Sequence, residues 1–320
     1  MKKITKLFTL IGVILVILGS AIFVKALADA DWKFVNLAPN KLQTRIVDIE
    51  GEFDNISIKL ETTDVEFALS TDGKNKILFT EREDELHTVN LDEDGLSIVA
   101  HREYNVVDSL FNFGSPKMII YLVESEFENL DIIGDTSDVS ISKDFSFNNI
   151  VIKTDTGDVA SYAKAKELID IETDTGDIKL SDVSTKNMSL NVHTGDVIVK
   201  SVSITESLII NVTTGDILLK DATSVDFKTK GNTGDIVMEN LIVSNNINVF
   251  RTTGDINFNK VDAASLDIET DTGDVTGTLN SDKTFIVETR TGEEIYPKGT
   301  TGGKCNIKTS TGDIIISIAK

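Results

Sequence analysis

The tripeptide Thr-Gly-Asp occurs eight times in this chain, centred on Gly157, Gly176, Gly195, Gly215, Gly234, Gly254, Gly273 and Gly312. Two near-copies, Thr136-Ser137-Asp138 and Thr291-Gly292-Glu293, extend the series to ten. Successive centres lie 19 or 20 residues apart from residue 137 to residue 312. A fixed period of that length predicts a stack of equivalent supersecondary units, each burying its apolar face against the next.

Aligning the copies on their central residue gives the register. Seven residues earlier stand Ile150, Ile169, Met188, Leu208, Phe227, Ile247, Leu266, Phe285 and Cys305, and five earlier Ile152, Ile171, Leu190, Ile210, Thr229, Val249 and Ile268. Two residues later come Val139, Val159, Ile178, Val197, Ile217, Ile236, Ile256, Val275 and Ile314, with Ile141, Leu180, Val199, Leu219, Met238, Phe258 and Ile316 four later. Val183, Val202, Ala222, Leu241 and Val261 supply a third inward wall. Polar residues mostly fill the gaps, which is the period-two pattern of strands with one buried face. Each unit therefore reads as a strand, a tight corner, a second strand, then a variable polar turn and a short third side. Glycine suits the corner because it accepts positive φ. The fold class expected is all-β, a β-solenoid with 19–20-residue coils. Ten coils at about 4.8 Å spacing would give a rod on the order of 50 Å long.

The N-terminus adds one transmembrane helix to that reading. Lys2, Lys3 and Lys6 precede an uncharged, mostly apolar run from Leu7 to Val24. Its length reaches the range of a membrane span, and the basic flank predicts a cytoplasmic N-terminus with the body outside. Ala26-Leu27-Ala28 resembles a signal-peptidase site, so a cleaved signal is the alternative. The organisation expected is a cytoplasmic tail at 1–6, an anchor or signal at 7–24 and a linker at 25–45. Irregular β coils then fill 46–128 and the regular solenoid 129–320. Asn55 to Val65 reads as a degenerate coil, with Thr63-Asp64-Val65 at the corner, and 101–116 as an inserted loop. The final stretch, with Ile314, Ile315, Ile316 and Ile318, reads as an open strand edge that invites end-to-end self-association.

Net charge is −21, from 31 basic and 52 acidic residues. Such a body repels nucleic acid and anionic headgroups, so no nucleic-acid partner is expected. The corner places Asp138, Asp158, Asp177, Asp196, Asp216, Asp235, Asp255, Asp274, Glu293 and Asp313 in one column. Each acid is expected to cap its own turn. A cation ladder is the alternative, and it predicts at most weak calcium binding, because no calcium-loop motif is present. Thr154, Thr173, Thr270, Thr289 and Thr309 form a second column, expected to bond backbone at the corner. Cys305 falls on an inward position, as a core residue. His87, His101 and His193 are scattered, and no nucleophile elbow, phosphate loop or zinc-protease motif occurs. No catalytic, cofactor-binding or metal residues are assigned, and no enzyme activity is expected.

An apolar N-terminal segment followed by tandem Thr-Gly-Asp-(Val/Ile) strands resembles a bacterial surface family of unknown function called "putative adhesin". The resemblance spans about residues 46–319, and implies surface binding without naming residues for it. The chain departs from the pattern at Glu293-Glu294 and at the out-of-phase Thr301-Gly302-Gly303. The functional expectation is a single-pass, membrane-anchored extracellular scaffold that binds a cell-surface polymer or an envelope protein. An accessory regulator of envelope stress acting through a membrane partner is the alternative, and a polysaccharide-active β-helix enzyme a more remote one.

Overall fold

The computed structural model describes residues 2–32, 42–102, 115–298 and 301–319. Helix α1 (Lys2–Asp29) is followed by 28 strands in one continuous sheet. Within α1, Phe8–Asp29 has a mean hydropathy of 2.6, so it is long and apolar enough to cross a membrane. Its side chains, among them Phe8, Leu15, Val16 and Ile22, are exposed.

The sheet is a β-solenoid. From residue 126 onward, strands separated by one coil pair in parallel and nearly in register, as in Ile152↔Ile171, Leu190↔Ile210 and Val249↔Ile268. Every inward column expected from the alignment is buried, Thr229 and Cys305 included, except at Phe285, which is half-buried. Each fully buried Ile, Leu or Phe contributes about 1.5–3 kcal/mol. A second corner lies six residues after Gly176, Gly195, Gly215, Gly234 and Gly254, where Asp182, Ser201, Asp221, Asn240 and Lys260 take left-handed φ angles of 52–59°. Four of these five are Asp, Asn or Ser, residues that favour turns through local hydrogen bonding.

The stacking order departs from the chain order at both ends. Strands β1 (Leu42–Asp48), β2 (Asn55–Leu60), β3 (Asp64–Leu69), β4 (Lys76–Arg82), β5 (Glu85–Asp92), β6 (Gly95–Arg102) and β7 (Lys117–Leu122) precede β8 (Glu126–Thr136) and β9 (Val139–Ile141). The coil β2–β3 is sandwiched between β6–β7 on one side and β8–β9 on the other. Beyond β6 and β7 the chain runs antiparallel. β5 pairs with β6, β4 with β7, and β1 with β4, so this end carries a cap. β1 begins at Leu42, within the stretch expected as linker. Most of the expected 101–116 loop (103–114) falls outside the described residues.

At the other end, Gly303–Thr311 lies between Ser265–Thr272 and Lys283–Thr291. Ile314–Ile318 likewise lies between Val275–Leu279 and Glu294–Ile295. Of the expected open edge, Ile314 and Ile315 are therefore paired on both sides, and Ile316–Ile318 on one. The terminal rung is 283–295 instead, with Phe285 and Val287 half-buried and Tyr296 folded against Phe285 at 5.9 Å between ring centroids. The departures at Glu293-Glu294 and Gly302-Gly303 mark the place where the chain steps over one rung and then returns.

Candidate functional site

The Thr-Gly-Asp corner is a structural joint, built by three residues in different ways. Gly176 has φ +146°, and a Cβ there would stand 2.1 Å from the Gly157 carbonyl oxygen of the neighbouring rung. No side chain fits that approach. The buried threonines turn inward, and their hydroxyls donate to the same carbonyl column: Thr173 to Gly157 at 3.3 Å, Thr270 to Gly254 at 3.2 Å and Thr309 to Gly273 at 3.1 Å. The expectation of backbone bonding is met.

The aspartates do something other than cap their own turn. Each Oδ1 accepts the backbone N–H of the aspartate one rung away, as in Asp158 to Asp138 at 2.8 Å and Asp216 to Asp196 at 2.8 Å. The ladder starts at Asp64, whose carboxylate takes the Asp138 N–H at 3.0 Å. It ends in the order Asp274, Asp313, Glu293, with bonds of 2.8 Å, and so records the switched rungs directly. At Asp177 the Asp196 N–H, helped by Lys179, holds the carboxyl below its usual range. At Asp64 burial outweighs the bond from Asp138 and pushes the carboxyl up. The ladder satisfies corner N–H groups that would otherwise lack partners, each bond contributing about 0.5–1.5 kcal/mol net. Among the described residues, no group of three His, Cys, Asp or Glu side chains is arranged to hold a metal ion.

Cys305 and His87 are equally committed to structure. Cys305 is fully buried and burial pushes its thiol up to about 12, so no thiolate nucleophile forms at neutral pH. Beside it, the buried Lys283 ammonium donates to Asp262 at 2.6 Å. Burial pushes the Asp262 carboxyl up, but its bonds from Lys283 and Ser281 outweigh that and leave it below its usual range. His87 is buried in the end cap, its Nδ1 3.0 Å from Glu81 and its ring stacked on Phe79. His101 lies exposed on β6, and His193 lies exposed on the strand preceding Gly195.

One surface stands apart. On the strand before each corner, the positions six, four and two residues before glycine face outward. In the rungs of Gly157 and Gly176 they hold Lys153, Asp155, Asp170, Glu172 and Asp174, and in the rung of Gly273 they hold Asp267, Glu269 and Asp271. Between these acidic flanks lie four rungs with no acid at these three positions. They carry Ser189, Asn191 and His193, then Ile209, Asn211 and Thr213, then Lys228, Lys230 and Asn232, then Asn248, Phe250 and Thr252. Asn211 donates to Asn191 across the rungs at 2.8 Å. Phe250 is 43% exposed, which leaves much of its ring open to a partner. Pairing aligns Asn191, Asn211, Lys230, Phe250 and Glu269 in one column across the sheet. Two shallow clefts of about 240 and 290 Å³ meet at Lys230. Sequence reasoning passed over this band, although the aligned outward positions display it.

Sequence comparison gives the family. Its model, described as Toastrack DUF4097, matches residues 53–230 and 206–320. The chain belongs to the Toastrack DUF4097 family. Among curated proteins, none matches this toastrack chain in sequence. Two crystal structures share its fold. A "putative adhesin" from Parabacteroides distasonis superimposes with a TM-score of 0.52 at 10% identity, over 76% of this chain and 97% of its own. A second "putative adhesin", from Parabacteroides merdae, gives 0.51 at 12% identity, over 74% and 96%. At such identities the likeness concerns the fold.

Proposed function

We propose that this chain is a membrane-anchored scaffold of the cell envelope that binds a surface component through the acid-free band on its solenoid. The observation that carries the reading is the contrast between that band and its flanks. In a chain of net charge −21, the outward positions before the corner in four adjacent rungs present amides, hydroxyls, a histidine, an isoleucine, two lysines and an exposed aromatic ring, and no carboxylate. A solvated face needs no such sorting, whereas a recognition surface gains from it, because flanking like charges exclude wrong partners. The adhesin wording attached to structures of the same fold agrees with surface binding. The apolar Phe8–Asp29 helix would hold the solenoid at the membrane as a single-pass protein, with its bulk outside. Binding, not catalysis, is the reading, since Cys305 and His87 are sealed in packed interiors and Lys283 is engaged by Asp262.

The test uses full-length protein in lipid nanodiscs, incubated with a fractionated bacterial envelope. Retention of the protein should fall at least ~10-fold on Lys228→Glu combined with Lys230→Glu, a loss of about 1.4 kcal/mol. Lys179→Glu, on the strand after the corner, should leave it unchanged. Equal retention of all three proteins would overturn the reading.

A further inference from the structure

Resting on that reading, we infer that the acid-free band binds an anionic glycan, a sugar polymer carrying carboxylates, laid across the rungs over Phe250 and the two lysines. Charge is the first argument. At the matching outward position of other rungs, Lys153 sits within ion-pair distance of Glu172 and Lys308 of Glu288. Lys228 and Lys230 are exposed and, among the described residues, form no ion pair. Both ammonium groups therefore stand ready to meet an anionic group on an otherwise acidic body. The acids at either end, Glu172 and Asp174 on one side and Asp267 and Glu269 on the other, would confine a polyanion to the band.

Chemistry is the second argument. Sugars offer apolar ring faces edged by hydroxyls, and an exposed aromatic ring beside amides matches both. Phe250 lies next to Lys230 in the ladder, and Asn211 follows on the far side of Lys230. An aromatic platform, a cation and an amide therefore follow one another along a line perpendicular to the strands. The four rungs span about 14 Å at the spacing of adjacent strands, enough for a short run of sugar units. A neutral glycan leaves both lysines unused, and a polyphosphate leaves the Phe250 ring unused.

The experiment measures binding of the full-length protein in nanodiscs to immobilised polygalacturonate, dextran and inorganic polyphosphate. Polygalacturonate is expected to bind, with affinity falling ~5-fold or more between low and high salt as screening shortens the reach of the lysines. Lys230→Glu and Phe250→Ala should each weaken it ~10-fold or more, with the melting temperature held as the check on folding. Lys153→Glu, outside the band, should not. Dextran binding as tight as polygalacturonate, or polyphosphate binding that survives Phe250→Ala, would overturn the inference. So would envelope retention sensitive to Lys230→Glu with no polygalacturonate binding, an outcome that leaves the surface-binding reading standing.

Discussion

Arg251 fills the space that a side chain at Gly231 would take: a Cβ built on Gly231 would stand 1.8 Å from the Arg251 guanidinium and 1.9 Å from the Val212 carbonyl oxygen. The guanidinium donates to Val212 O at 2.7 Å and to Gly215 O at 3.2 Å. Both residues lie in the column that holds Thr154, Thr173, Thr270 and Thr309 elsewhere, so one rung has given up its side chain to house its neighbour's. Burial lowers the Arg251 pKa, and the charges of Asp216 and Asp235 oppose that. Gly231→Ala is expected to destabilise the protein by about 2–4 kcal/mol, in the range of overpacking with loss of a buried charged bond. Adding Arg251→Thr should recover part of that loss. Urea denaturation of the two single variants and the double would show it as strong non-additivity.

The corner ladder depends on an acceptor oxygen, not on charge. Asp216→Asn keeps an oxygen for the Asp235 N–H, now bonded at 2.7 Å, and is expected to be nearly neutral. Asp216→Ala should cost about 1 kcal/mol. Gly215→Ala, at φ +140° and 2.0 Å from the Gly195 oxygen, should cost more than either. Since Oδ1 is already occupied by backbone, millimolar calcium followed by chelator should leave the melting temperature unchanged. A calcium-dependent rise would revive the cation ladder.

The end cap should loosen in acid. Glu81 is fully buried and accepts from Arg45 Nε at 2.6 Å and from the His87 N–H at 3.2 Å, with His87 Nδ1 at 3.0 Å. Burial alone would push its carboxyl up, but the bonds from Arg45 and His87 outweigh that and hold it below the usual range. A carboxyl lowered in the folded state stabilises fully above its unfolded pKa, about 4.3, and loses that contribution as pH falls through the folded value. Melting temperature should therefore drop below about pH 4. Glu81→Gln should be destabilised by about 1–3 kcal/mol at pH 7, discounted because Arg45 is partly exposed, and should show a flatter acid limb.

Rung order has a direct signature in hydrogen exchange. Amides of Cys305–Thr309, paired on both sides, should exchange as slowly as those of the central coils. Amides of Phe285–Thr289, earlier in sequence but on the terminal rung, should exchange faster. The reverse order of protection would refute the switched arrangement.

That terminal rung carries its own guard. The Glu294 carboxylate accepts the Thr289 N–H at 3.1 Å, occupying a donor on the free edge. Glu294→Ala is expected to increase concentration-dependent self-association, measured by sedimentation, because an uncovered strand edge pairs with another chain. If the variant remains as dispersed as the parent, other features of the rung protect the edge.

The coil was legible because its signals are local and repeated. One glycine per period, with a β-branched residue two positions later, states the corner eight times over. The inward fate of Cys305 and Thr229 followed from register alone. The aspartate contacts were misjudged because a side chain reaching its own turn and one reaching the next rung require the same residue at the same place. The binding band was overlooked for a different reason. Outward positions look like generic polar surface until four rungs lie side by side, and only then does the missing charge become a patch.

By itself the sequence determined the period, the inward columns, the glycine corners and the apolar segment before them. Tertiary structure decided which coil rests on which. In parallel in-register stacking every rung offers nearly the same apolar column and the same ladder of amides, so adjacency in the chain sets no strong preference between neighbours. The choice falls to the ends, where a rung must either be covered or be capped. There the chain places Gly303–Ile315 inside and 283–295 outside, and covers the first coil with β6 and β7. The Arg251 niche is decided at the same level, because it needs Gly231 one rung away and a carbonyl two rungs away, and no single repeat contains both.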